Sequence, residues 1–249
     1  MEHVLHQTKK YKFTLTTPTA IIIGGIIIAL AVIVSPIISK KLHPLDQNQI
    51  VQNNPQAQPA PQVDVSKVKI AGAPFIGNPN APVTIAYWYD YQCPFCKRTE
   101  DTVMSLLIQD YVNTGKVKLV FKDFQFLGPD SQTAGLAERA VWEVAPNKFY
   151  EWHKAMYKKQ DSENSGWGNK NDILALTSKV LGASDANKVA GFMITKANEY
   201  QQAMDADKTE GGQFGVTGTP AMIIGKQFLN GAQPYTSVKQ AIDQELSRK

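Results

Sequence analysis

Two cysteines three positions apart, with a proline between them, constrain what this chain can fold into more than any other feature. They are Cys93 and Cys96, separated by Pro94 and Phe95, and the 249 residues contain no other cysteine. The run before them, Val83-Thr84-Ile85-Ala86-Tyr87-Trp88-Tyr89, is rich in β-branched and aromatic residues, as expected of a strand buried on both faces. After them Val103, Leu106, Leu107 and Tyr111 recur at helical spacing, with Cys96 on the same stripe and Gly115 ending the helix. From Lys116 to Phe121 the chain alternates, with Val117, Leu119 and Phe121 on one face and Lys116 and Lys118 on the other, which predicts a second strand. Strand, helix and strand in this order imply a right-handed parallel crossover, with the cysteine pair where the first strand turns into the helix.

That position has chemical consequences. A sulfur at the helix start faces unsatisfied backbone N–H groups and the positive end of the helix dipole, which stabilise a thiolate, so Cys93 is the expected nucleophile. Pro94 suits the first turn, where a missing N–H costs nothing. Cys96 lies on the same helix face, near enough to close a disulfide, and its place on the apolar stripe predicts a shielded, less reactive thiol. An exposed nucleophile beside a buried resolving thiol is the arrangement that thiol–disulfide exchange requires. Three alternatives are weaker. Zinc normally takes four ligands, and there is no second C-x-x-C and only His153 as a histidine in the folded region, so no metal is expected. A static disulfide closing so small a loop removes little entropy from the unfolded chain. A chance pair of buried cysteines fits the strand–turn–helix context poorly. His153 reads as a half-buried helix residue and not a catalytic base.

The rest of the chain sets the context. Residues 20–38 carry no charge and are rich in isoleucine, and as a helix they would span roughly 28 Å, close to a bilayer's hydrocarbon core. An uncleaved signal-anchor is favoured over a cleaved signal peptide, because the apolar run continues past the small residues Ala29 and Ala31. Lys9, Lys10 and Lys12 against Lys40 and Lys41 give a weak bias toward a cytoplasmic N-terminus, residues 1–19, and an extracytoplasmic remainder, where disulfides persist. Residues 39–66 hold a Gln/Asn/Pro-rich stretch that reads as a flexible linker. The folded domain is then 67–249, with an all-helical insert at about 131–213 built from helices near 134–144, 148–159, 172–181 and 185–207, Ser184 serving as N-cap of the last. A hairpin of residues 221–224 and 227–229, turning at Gly225-Lys226, and a final amphipathic helix at about 236–246 complete it. The net charge of +4 is spread along the chain and implies no nucleic-acid partner.

Tyr89-Asp90-Tyr91-Gln92-Cys93-Pro94-Phe95-Cys96-Lys97 resembles the D-[YF]-x-C-P-x-C-K signature of the DsbA-like branch of the thioredoxin superfamily, membrane-anchored or secreted thiol–disulfide oxidoreductases. Gly215-Val216-Thr217-Gly218-Thr219-Pro220-Ala221 resembles the loop that holds this family's cis-proline opposite the active-site disulfide. The resemblance covers essentially all of 67–249. It implies an α/β thioredoxin fold, βαβ plus ββα, with a helical insert. It further implies a cofactor-free dithiol oxidase that introduces disulfides into reduced exported proteins and is reoxidised by a quinone-linked membrane oxidoreductase. Catalysis would fall to Cys93 and Cys96, with Pro94, Phe95, Thr219 and Pro220 lining the site and Thr219's backbone free to pair with an extended peptide. A reductase or isomerase on the same fold, and a tethered peptide-binding module without redox turnover, remain as alternatives. Two departures matter. Phe95 stands where some members carry a histidine, so Cys93 should be less acidic than in a C-P-H-C enzyme. Tyr87 stands where some relatives carry a buried acid, leaving Asp90, Lys122 or water to move protons.

Overall fold

The computed structural model describes residues 63–248. The expected span at 20–38 and the expected linker up to residue 62 lie outside those residues. Among the described residues no helix is long and apolar enough to cross a membrane. The final residues assigned to the linker, 63–66, belong to the fold. Val63 and Val68 are buried beneath Trp88, and a short 3₁₀ turn, Val65–Lys67, starts where the Asp64 carboxylate accepts the Ser66 N–H at 2.9 Å.

The core is a five-stranded mixed sheet in the order β1-β3-β2-β4-β5. β2 (Val83–Tyr89) and β3 (Val117–Asp123) run parallel in register from Val83↔Val117 to Tyr89↔Asp123. β4 (Ala221–Ile224) lies antiparallel on the other side of β2 and continues through the turn into β5 (Gln227–Asn230). β1 (Phe75–Gly77) adds an antiparallel edge to β3, and with only three residues it is too short to show any alternation in the sequence. The period of two sorts the central strands into two cores. Val83, Ile85, Tyr87 and Tyr89 with Val117, Leu119 and Phe121 face the cysteines and the helical insert, whereas Ala86 and Trp88 face Val63, Phe124, Val216 and Ile223.

The helix after the cysteines is less regular than its sequence stripe suggests. It runs as α1 (Pro94–Thr99), a π segment at Glu100–Met104, α2 (Ser105–Leu107) and a second π segment at Ile108–Val112, with Gly115 at φ +73 beyond it. The insert comprises α3 (Pro129–Val144), α4 (Phe149–Lys159), α5 (Lys170–Leu181), α6 (Ala183–Thr195) and α7 (Ala197–Gln213), and α8 (Tyr235–Leu246) packs on β2 and β4. Two local expectations change. Ser184 lies inside the first turn of α6, whose N-cap is Gly182. The single helix expected over 185–207 is broken at Lys196, whose backbone leaves the helical region and whose ammonium pairs with Glu143 on α3. The break has a tertiary cause. α6 packs against α3 and α5, while α7 must redirect to reach β3, where it delivers Asp207 and Glu210.

Those two acids complete a buried ionic cluster. Lys122, 1% exposed, pairs with Asp207 and Glu210 and donates to Lys69 O at 2.7 Å, while Arg139 on α3 bonds Asp123 at 2.6 Å and Asp207 at 2.5 Å. Removing one member leaves buried opposite charge uncompensated. We expect Arg139→Met to destabilise the protein by about 3–5 kcal/mol, measured as a loss of unfolding free energy in denaturant titration. A cost below about 1 kcal/mol would show that the cluster contributes no net stability.

Candidate functional site

The turn that carries the cysteines is held from below by one carboxylate. Asp90, at the end of β2 and fully buried, accepts the Gln92 N–H on Oδ1 at 2.8 Å. Its Oδ2 accepts the Phe126 N–H at 3.0 Å, the Leu127 N–H at 3.3 Å and the Ser131 hydroxyl at 2.6 Å. Gln160, at the end of α4, donates to Tyr91 O at 2.6 Å and to Cys93 O at 3.1 Å, and Lys97 donates to Tyr157 O at 2.8 Å. The insert thus grips the turn from both sides. The C-P-x-C pattern contains no sign of Gln160, because that residue reaches the turn only through the packing of a distant helix.

Cys93 is the N-cap of α1 with extended backbone, Pro94 occupies the first helical position, and the N–H groups of Cys96 and Lys97 bond Cys93 O at 3.1 and 3.2 Å. Both cysteines are free thiols. Cys96 is wholly buried, and Cys93 is only 4% exposed, so the nucleophile expected to be open sits instead in a narrow notch. Across that notch stands the 219–220 loop. The Thr219–Pro220 bond is cis, and the Cys93 thiol donates to Thr219 O at 3.3 Å. Thr219 is half-buried and Pro220 buried. Phe95 is 53% exposed, its ring beneath the Arg98 guanidinium at 5.0 Å, and Phe126 is 43% exposed. The structure therefore brings Cys93, Cys96, Pro94, Phe95, Thr219 and Pro220 together where β2 ends and β4 begins.

The two sulfurs differ sharply in acidity. The Cys93 thiol is lowered to about 6, first by a hydrogen bond from Cys96, against burial, with further help from Thr219 and from the backbone N–H groups of Cys96 and Phe95. Burial pushes the Cys96 thiol well above its ordinary value, and the neighbouring Cys93 adds to the shift. At neutral pH Cys93 is then mostly thiolate, without a histidine beside it, and Cys96 holds its proton.

The candidates for proton transfer fare differently. Asp90 has its carboxylate filled by four hydrogen bonds that hold the turn. Lys122 pairs in register with Trp88 on the opposite face of the sheet from the cysteines. His153 is fully buried and not half-buried, its Nδ1 sharing a 2.8 Å hydrogen bond with the Tyr91 hydroxyl. Among the described residues no three His, Cys, Asp or Glu side chains come together so as to hold a metal ion. A cleft of about 720 Å³ lies between Val65, Pro82, Lys226 and Arg248, away from the cysteines.

A family model described as Thioredoxin matches residues 69–244. The chain belongs to the thioredoxin family. Among curated proteins, this thioredoxin-family chain is 27% identical over 183 residues to disulfide bond formation protein D of Bacillus subtilis, covering 72% of this chain and 80% of that one. Its fold is similar to the crystal structure of oxidised BdbD from Bacillus subtilis, with a TM-score of 0.65, 23% identity and coverage of 72% and 95%. It is also similar to the thiol-disulfide exchange protein alpha-DsbA2 from Wolbachia pipientis, with a TM-score of 0.60, 24% identity and coverage of 70% and 87%. The mixed sheet with its helical insert is the fold these structures share, and the Cys93/Cys96 pair fits a redox pair within it.

The acidity difference gives two measurable outcomes. Titrating thiolate absorbance should place Cys93 at about 6, and Cys96→Ala should move it up toward the ordinary range of a free thiol, since the largest depressing influence is lost. A Cys93 value near 3.5, that of DsbA, would show that Phe95 withholds nothing. The sign for stability follows. Between about pH 6 and the ordinary 9.0, the folded reduced protein binds fewer protons at Cys93 than the unfolded one. The reduced form therefore gains stability relative to the oxidised form as pH rises through that window, and loses it as pH falls through 6. A reduced-minus-oxidised melting difference that is flat over this range would contradict the assignment.

Proposed function

We propose that this chain is a thiol–disulfide oxidoreductase that introduces disulfides into exported proteins, with Cys93 as the nucleophile and Cys96 as the resolving thiol. The observation that carries the proposal is the pair itself: a thiol lowered to about 6 in a notch 4% exposed, next to a sealed thiol that keeps its proton. Names such as disulfide bond formation protein D among its relatives support the reading.

In the oxidised enzyme a substrate thiolate attacks Cys93 Sγ, the Cys93–Cys96 bond breaks, and Cys96 leaves with the electron pair and takes up a proton. A second substrate thiolate then attacks the substrate sulfur of the mixed disulfide. A substrate disulfide forms, and Cys93 departs as a thiolate that its surroundings stabilise. Stabilising the reduced form in this way makes the disulfide form oxidising, which favours the oxidase direction over reductase or isomerase work. The exposed Phe95 beside the Cys93 notch offers apolar surface to a peptide substrate. Among the described residues the Thr219 N–H has no hydrogen-bond partner, so it is available to pair with a substrate backbone.

The cell supplies the remaining context of the proposal. The enzyme acts on reduced substrate proteins and is reoxidised by a partner, here assigned to a quinone-linked membrane oxidoreductase. The run at 20–38 anchors it by a single span with residues 1–19 cytoplasmic, 39 to about 62 tether it, and the catalytic domain works outside the membrane. No cofactor takes part.

Equilibrating the pair against glutathione tests the direction. We expect a potential well above the roughly −270 mV of thioredoxin, toward the roughly −120 mV of DsbA; a value near thioredoxin's would replace the oxidase with a reductase. In cells, Cys93→Ser should abolish disulfide formation and Cys96→Ser should accumulate mixed disulfides with substrate proteins. Full function of Cys93→Ser would instead favour a peptide-binding module without redox turnover.

A further inference from the structure

The backbone carbonyls of the cysteine turn find their partners in a distant helix. Asp90 O accepts the Tyr157 hydroxyl at 3.2 Å, while Tyr91 O and Cys93 O accept the side-chain amide of Gln160 at 2.6 and 3.1 Å. Both donor side chains stand at the end of α4, 67 to 69 residues beyond the carbonyls they reach. A carbonyl oxygen carries partial negative charge, and these three lie within the few residues that lead to a sulfur required to become a thiolate. Donors placed on them favour the charged sulfur.

Gln160 is the more constrained of the two. Its Nε2 faces two carbonyl oxygens, on either side of Gln92, so the side chain in this place must present two hydrogens and no acceptor. A glutamate would match it in shape and fail in chemistry, because at neutral pH it has only oxygens to set against those carbonyls. Gln160 is itself fixed, its backbone N–H closing α4 on Met156 O and Tyr157 O at 3.1 and 3.3 Å. Across the contact, Cys93 O also takes the N–H groups of Cys96 and Lys97 at 3.1 and 3.2 Å, which opens α1. Cys93 precedes a proline and keeps extended backbone, φ −77 and ψ 118, the conformation in which an N-cap side chain faces the first N–H groups of its helix. Holding Cys93 O therefore holds the direction of the sulfur. Apart from Cys96, the ionisable groups around the turn are engaged elsewhere: Asp90 with its four donors, Lys97 with Tyr157 O and Asp101, Tyr91 with His153, and Arg98 over the Phe95 ring.

Resting on the redox reading above, we propose that Gln160 is a positioning residue for Cys93, through which the helical insert fixes the backbone of the nucleophile and the direction of its sulfur. The amide touches no reacting atom and acts only through Tyr91 O and Cys93 O. In the thiolate state it keeps the sulfur against the N–H groups that open α1. In a mixed disulfide, where a bound peptide pulls on Cys93, it keeps Sγ within reach of Cys96. Loss of the amide withdraws support from the reduced form, whose thiolate needs it, and leaves the uncharged disulfide as it was. The direction of the effect follows. Without Gln160, Cys93 becomes less acidic and the pair less oxidising.

Two variants of the full chain test this, each followed by thiolate absorbance and by equilibration with glutathione. Gln160→Met keeps the length and removes both donors, and Gln160→Glu keeps the shape and reverses the polarity. We expect Cys93 to titrate about half a unit to one unit higher in Gln160→Met, the effect of a hydrogen bond or two, and higher still in Gln160→Glu. The glutathione equilibrium of Gln160→Met should move about threefold toward the protein disulfide. A purely structural role predicts a lower melting temperature in both variants with the Cys93 titration and the equilibrium unchanged, and that result would overturn the proposal. Wild type supplies an independent measurement, the NMR signals of the Gln160 side-chain amide. Its protons should exchange slowly with water and shift with the same midpoint as Cys93. An amide that exchanges freely and ignores the titration would overturn the proposal even if neither variant folded. If wild type formed no Cys93–Cys96 disulfide with oxidised glutathione, the redox reading would fall, while the titrations and the amide signals would still decide whether Gln160 positions Cys93.

Discussion

The carboxylate of Asp90 holds together the turn that carries the cysteines. A wholly buried carboxyl needs hydrogen-bond partners, and this one finds four, from the Gln92, Phe126 and Leu127 N–H groups and the Ser131 hydroxyl. Those donors come from three parts of the chain. The first lies in the cysteine turn, the next two in the loop that leaves β3, and the last in the opening turn of the helical insert. One side chain therefore ties the sheet, the loop and the insert together where the chemistry occurs.

With the turn held in place, the sheet sorts its neighbours by parity. Odd-numbered positions of β2 and β3 build the aromatic floor under the cysteines, and even-numbered ones build a second core around Trp88. Lys122 lies on the Trp88 face and pairs with Asp207 and Glu210, while Arg139 joins Asp207 to Asp123 at the end of β3. The acidity of Cys93 comes first from its hydrogen bond with Cys96.

Much of this was legible beforehand. The strand run at 83–89, the alternation at 117–121, the hairpin around Gly225 and the helical stripes of the insert all follow from periods of two and of about 3.6, which local sequence carries directly. The chemistry of Cys93 was legible because it depends on a helix terminus at the residue itself and on Cys96 three positions on. What local patterning missed was whatever depends on a distant partner. β1 exists because β3 offers it an edge. The break at Lys196 exists because α6 and α7 pack on different elements. His153 looked half-exposed on its own helix and is enclosed by rings from β2, β3 and α4.

The order of residues alone thus determined a strand, a C-P-F-C turn, a helix and a distant Thr219–Pro220 loop, and with them the class of chemistry, because each rests on contacts within a few residues or on a motif resemblance. Only the tertiary structure decided how open the sulfurs are and which groups surround them. Those properties arise where β2, the active-site helix and α4 meet, and the solvation of a buried thiol depends on everything packed around it.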